Sequence, residues 1–143
     1  MLEQLILRLI TEDIMMFRLL NTAMANPMLD AFFTFITIFG STAFWLFVCL
    51  VLLLRKQYKP AVVLFAATAF NSLLLMWMKA AIMRPRPSDF LPRVRLLETE
   101  VTASFPSGHA AQSFLGATVL GRYFPKLLWP LYLLSIVIGV SRV

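Results

Sequence analysis

Between Asp30 and Arg55 lie 24 residues without a charge, and between Lys59 and Lys79 lie 19 more. Runs of this length match the roughly 20 apolar residues that a helix needs to cross the hydrocarbon core of a bilayer. A soluble core helix would keep a polar stripe along one side, and the stretch from Phe32 to Leu54 has almost none. The remaining composition agrees: 60% of the residues are hydrophobic and 14% charged, against about 25% charged in soluble domains. Mean hydropathy is +0.82. The expected fold class is therefore all-α, a multi-spanning transmembrane helix bundle.

The formal net charge of +6 would fit a nucleic-acid binder if the basic residues formed a patch. They sit instead at the ends of apolar runs. Arg55, Lys56 and Lys59 fill one connection, and Arg122 and Lys126 flank another. That is how loops are held on the cytoplasmic side by the positive-inside rule, so the bilayer is the expected partner and no nucleic acid is. A third cluster, Arg84, Arg86, Arg93 and Arg95, falls on the opposite face and breaks the rule. Charge placed against topology points to function. Cys49 is the one cysteine, which excludes an internal disulfide and suits a small apolar filler. The N-terminus lacks a basic leader region and carries Glu3, Glu12 and Asp13, which argues against a cleavable signal peptide.

No repeat or low-complexity linker divides the chain, so residues 1–143 read as a single membrane domain. Residues 1–27 are expected to hold an interfacial amphipathic helix and a turn. Leu5, Leu9, Ile10, Met16, Phe17 and Leu20 stand at helical spacing, interrupted by Arg8, Glu12, Asp13 and Arg18. Asn26-Pro27 marks the turn, because a residue before proline is pushed out of helical geometry. Residues 28–143 form the bundle, with about four spanning helices. These are expected near 28–54, 60–83, 108–123 and 127–140, with a polar loop at 84–107. Gly40-Ser41 in the first span would allow close packing on a neighbour, and Pro60 suits the first turn of the second. The last two helices are shorter than a full crossing needs. With the connection at 55–59 placed inside, Lys79, the 84–107 loop and Ser141-Arg142 all come to the outer face.

Three clusters there could carry chemistry. In the first, Lys79 and Arg86 are seven residues apart, about two helical turns, and Pro85 and Pro87 are expected to end the helix so that Arg84 and Arg86 emerge on extended backbone. Taken alone, a snorkelling lysine with interfacial arginines explains this equally well. In the second, Ser107 is a plausible N-cap ahead of Gly108 and His109. A capping box would place Glu or Gln where Ala110 stands, so the first-turn N–H groups face no carboxylate of their own and are open to an anion. An ordinary cap beside a chance histidine reads the same way. His109, the single histidine, could act as a general acid. The third, Ser141-Arg142 after an apolar helix, is by itself a common membrane anchor.

Together the clusters are more specific. Lys79 with Arg86-Pro87, then Pro106-Ser107-Gly108-His109, then Ser141-Arg142 resemble, in order and spacing, the motifs of the type-2 phosphatidic acid phosphatase superfamily. Those motifs are Lys, six residues, Arg-Pro; Pro-Ser-Gly-His; and Ser-Arg, five residues, His, three residues, Asp. The resemblance implies that Lys79, Arg86 and Arg142 hold phosphoryl oxygens, that Ser107 and the Gly108 N–H donate hydrogen bonds, and that His109 protonates the leaving oxygen. It implies a metal-independent hydrolase of a lipid phosphate working through a phosphohistidine, with no cofactor. One His, one Cys and few carboxylates give no metal site either.

The nucleophilic histidine and its aspartate would follow Val143. On this reading the sequence is incomplete within the third motif and at the C-terminal end of the bundle. As it stands it is expected to bind a phosphate without turning it over. The competing expectation is a non-catalytic lipid-phosphate-binding or structural membrane protein. The substrate and the oligomeric state are not readable from these motifs.

Overall fold

The computed structural model describes residues 1–23, 25–92, 94 and 102–142. Arg93 and Arg95 of the basic cluster lie outside the described residues. Among those described, every regular element is helical, in accord with the all-α expectation.

Helix α1 spans Leu2–Ala23. Asn26 then caps α2, Pro27–Thr37: its side-chain oxygen accepts the Met28 N–H at 2.9 Å, and Pro27 occupies the first turn, where a missing N–H costs nothing. A 3-10 turn, Ile38–Gly40, leads to α3, Thr42–Leu54. A tight connection joins α3 to α4, Tyr58–Ile82. After a short helix α5, Pro87–Phe90, come α6, Gly108–Tyr123, a 3-10 turn at Pro125–Leu127, and α7, Leu128–Val140.

The first expected span is not one helix. Residues 27–40 and 42–54 meet at a bend of 54°. Ser41 supplies the physical reason. Its backbone is extended, its hydroxyl donates to the Ile38 carbonyl at 2.7 Å, and the same oxygen accepts the Phe44 N–H at 3.1 Å. One side chain thus closes the first helix and caps the second. By length and composition, the segment Tyr58–Phe90 is apolar enough to cross a membrane, and the bent pair would be a second span if its halves are counted together. Residues 125–140 form a shorter apolar helix.

Helix α6 occupies the centre, packed on α7, α4, α3 and the Ile38–Gly40 turn. Its buried positions are Gln112, Ser113, Gly116, Ala117, Leu120 and Gly121, a stripe of mostly small residues that lets neighbouring backbones approach. Gly116 is the clearest case, because a Cβ there would stand 2.2 Å from the Trp45 ring. Trp45, Cys49 and Leu52 of α3 and Ala61 and Leu64 of α4 close the core against Leu120. The N-terminus of α6 lies at the end of the bundle where α4 and α7 finish.

Candidate functional site

Helix α4 ends earlier than its prolines require. Met83 adopts left-handed backbone, φ 47°, and its N–H caps the Lys79 carbonyl at 2.9 Å. This turns the chain back across the helix end, and Arg86 follows on extended backbone, φ −78° and ψ 147°. The segment is tied down on both sides. The Arg86 N–H donates to Asp89 Oδ2 at 2.8 Å and its Nε–H to the Thr102 carbonyl at 2.9 Å. The Ser104 hydroxyl lies 2.9 Å from the Pro85 carbonyl and 3.1 Å from that of Arg84, and the Ser104 N–H donates to Arg84 at 3.0 Å. The stretch that precedes α6 is thereby fastened to the stretch that leaves α4.

Ser107 caps α6, accepting the Ala110 N–H at 3.4 Å. Accepting through a lone pair leaves the hydroxyl proton able to donate elsewhere. Among the described residues, and leaving aside its chain neighbours and the α6 backbone, no heavy atom lies within 4 Å of where a Gly108 Cβ would stand, so there is open space beside the first turn. His109 leaves α6 beside the bend in the first apolar run. A Cβ on Gly40 would lie 2.9 Å from the His109 Cβ, 3.1 Å from its carbonyl oxygen and 2.8 Å from Ile138 Cγ2. Only glycine permits that approach. On α7, the Ser141 hydroxyl donates to Ile138, and Arg142 Nη1 reaches Thr37 Oγ1 at 3.4 Å. The third cluster is thus joined to α2.

A cavity of about 720 Å³ opens at this end of the molecule, and Arg86, Ser107 and Arg142 share its wall with Arg84 and Ser104. Lys79 lines a neighbouring depression, bounded in common by Arg84 and Arg86, where its Nζ donates to Thr102 Oγ1 at 2.9 Å. Gly108 and His109 are not part of the cavity wall; they occupy the first turn of α6 directly behind Ser107. All six residues singled out from the sequence therefore stand at one end of the bundle. The guanidinium groups of Arg86 and Arg142 share the wall with Ser107 at the α6 N-terminus, a combination that suits an oxyanion, while Arg84 is paired with Asp13. Among the described residues, no group of three His, Cys, Asp or Glu side chains could hold a metal.

The structure adds residues that the motifs do not contain. The cavity is also lined by Asp13, Met16, Phe17, Leu20 and Asn21 of α1 and by Asp30 and Phe33 of α2, and Arg84 is ion-paired to Asp13. A signal was present, since positions 13, 16, 17, 20 and 21 mark one helical stripe, but it was absorbed into the wider apolar surface of the helix.

Comparison with known proteins gives two matches. A family model described as the PAP2 superfamily matches residues 60–143. The crystal structure of Aquifex aeolicus LpxE superposes with a TM-score of 0.76 at 32% sequence identity, covering 89% of this chain and 76% of that one. Among curated proteins none matches.

Proposed function

The chain belongs to the PAP2 superfamily, and from that premise we propose that it supplies the phosphate site of an integral-membrane lipid phosphatase that cleaves a phosphomonoester or diphosphate at the outer membrane face. The observation that carries this reading is the cavity shared by Arg86, Ser107 and Arg142, with Lys79 beside it across Arg86. Phosphoryl transfer asks a protein mainly for positioning and for charge stabilisation on the equatorial oxygens. Arginine forks and helix N–H groups do both.

In this reading Lys79, Arg86 and Arg142 hold the phosphoryl oxygens, and Ser107 and the Gly108 N–H donate to them. In the family's third motif a histidine stands after five further residues beyond Ser-Arg, and in this reading that group attacks phosphorus in line. The bond from phosphorus to the lipid oxygen breaks, and His109 gives that oxygen its proton. Water then hydrolyses the phosphohistidine, with His109 accepting a proton. Covalent catalysis of this kind needs both histidines, and residues 1–143 contain one. Binding is therefore assigned to these residues and turnover to the site completed by the third motif.

Two measurements on purified residues 1–143 test the division. Inorganic phosphate or orthovanadate should bind, and Arg142→Ala should weaken that binding by roughly 10- to 100-fold, the worth of a charge-assisted hydrogen bond. Phosphate release from a lipid phosphate should not exceed that of His109→Ala. Oxyanion binding indifferent to Arg142→Ala would remove the site, and turnover that His109→Ala abolishes would remove the third-motif nucleophile. Binding without turnover even when the third motif is complete would favour a non-catalytic lipid-phosphate binder.

A further inference from the structure

The apolar side chains of helix α1 divide between an exposed surface and the cavity. Leu5, Leu9, Ile10, Met15 and Leu19 are each more than half exposed, a surface that a membrane interface would accept. Met16, Phe17 and Leu20 line the cavity together with Phe33 of α2 and Phe105, Met16 remaining more than half exposed. Phe17, Leu20 and Phe33 are each half-buried there. At the edge of this stripe the Arg84 guanidinium donates to the Asp13 carboxylate in a half-exposed ion pair. Arg84 stands between Lys79 and Arg86 in sequence, yet its charge is directed at α1. It ties the helix to the segment that carries the phosphate-site arginine.

A cavity of about 720 Å³ is far more than a phosphoryl group fills and lies within the range of roughly 300–1,000 Å³ for sites that enclose a small molecule. Its wall holds Arg86 and Arg142 beside Ser107, and α1 contributes Met16, Phe17 and Leu20 together with the polar Asp13 and Asn21. The geometry points to α1 as the selectivity element of the site: Met16, Phe17 and Leu20 receive the apolar portion of the substrate next to its phosphate, and the Asp13–Arg84 pair holds them in place. This rests on the phosphate reading given above and adds the part of the chain that tells a lipid phosphate from a free one.

The test compares dioleoyl phosphatidic acid in detergent micelles with inorganic phosphate, on residues 1–143. The double variant Phe17→Ser, Leu20→Ser should weaken the lipid about tenfold or more while inorganic phosphate stays within about twofold. Asp13→Asn should weaken the lipid selectively as well, and the exchange Asp13→Arg with Arg84→Asp should recover most of that loss. Retained inorganic phosphate binding shows that each variant is folded. Equal losses for both ligands would make α1 a structural prop, and unchanged lipid affinity would detach it from the site; either overturns the inference. The underlying reading fails separately, if the unsubstituted chain binds dioleoylglycerol as tightly as the phosphatidic acid or binds neither phosphate probe.

Discussion

Two glycines on either side of His109 make opposite demands. At Gly40 an added methyl would press on the His109 backbone and on Ile138, neither of which can swing away as the end of a long side chain could. Gly40→Ala is expected to cost about 1–3 kcal/mol, the usual penalty for overpacking a filled site, measured as a lowered unfolding temperature in detergent. At Gly108 the same methyl meets nothing and improves helix propensity by up to about 1 kcal/mol, so Gly108→Ala should leave stability intact or raised. If the open space there is where an oxyanion meets the helix N-terminus, phosphate affinity should nevertheless fall. Unchanged affinity would place the oxyanion elsewhere. The motif residues were legible in the sequence because their identities and spacing form a pattern that survives without the fold. Gly40 was legible only as a small residue with room for a neighbour, since the neighbours that need it lie 69 and 98 positions away.

Helices α4 and α6 are registered by a buried polar contact. Gln112 is buried; its amide nitrogen donates to Thr68 Oγ1 at 2.8 Å and its oxygen accepts from Asn71 Nδ2 at 2.9 Å. Gln112 is one turn after His109, and Asn71 about two turns before Lys79, so sliding one helix along the other would break both bonds and shift the level of Lys79 against His109. Interhelical polar contacts of this kind contribute on average about 0.6 kcal/mol in membrane proteins, with a maximum near 1.7. Gln112→Leu should destabilise within that range. In a double-mutant cycle with Thr68→Val, the losses should be less than additive, and simple additivity would show that the pair does not act as a unit. Element boundaries were readable where a polar residue marks them: Ser107 opens α6 at Gly108 as its spacing implies. The break at Ser41 was not, because a run of 24 uncharged residues looks the same whether the helix is straight or bent. Only the double hydrogen bonding of one serine separates the two.

Over the whole molecule, basic residues collect at both ends. Arg55, Lys56 and Lys59 with Arg122 and Lys126 sit at the helix connections of one end, and Lys79, Arg84, Arg86 and Arg142 at the other. A bare count therefore does not orient the bundle. What separates the ends is what the charges do. Arg84 is neutralised by Asp13, and Arg86 and Arg142 face the cavity, whereas the connections carry basic side chains with no such assignment. Discounting the site residues leaves the positive-inside rule to act on the connections, and the proposed orientation, with the connections in the cytoplasm and the cavity outside, follows from that rule alone. Substituted cysteines test this directly in a Cys49→Ala background. Phe90→Cys, exposed beside the site, should react with a membrane-impermeant maleimide on intact cells, and Gln57→Cys, in the α3–α4 connection, only after permeabilisation. The reverse pattern would put the site arginines on the side where the rule already expects them. Their position would then need no functional cause, and the argument from misplaced charge to a phosphate site at the outer face would fall, leaving only the shared cavity to support an oxyanion.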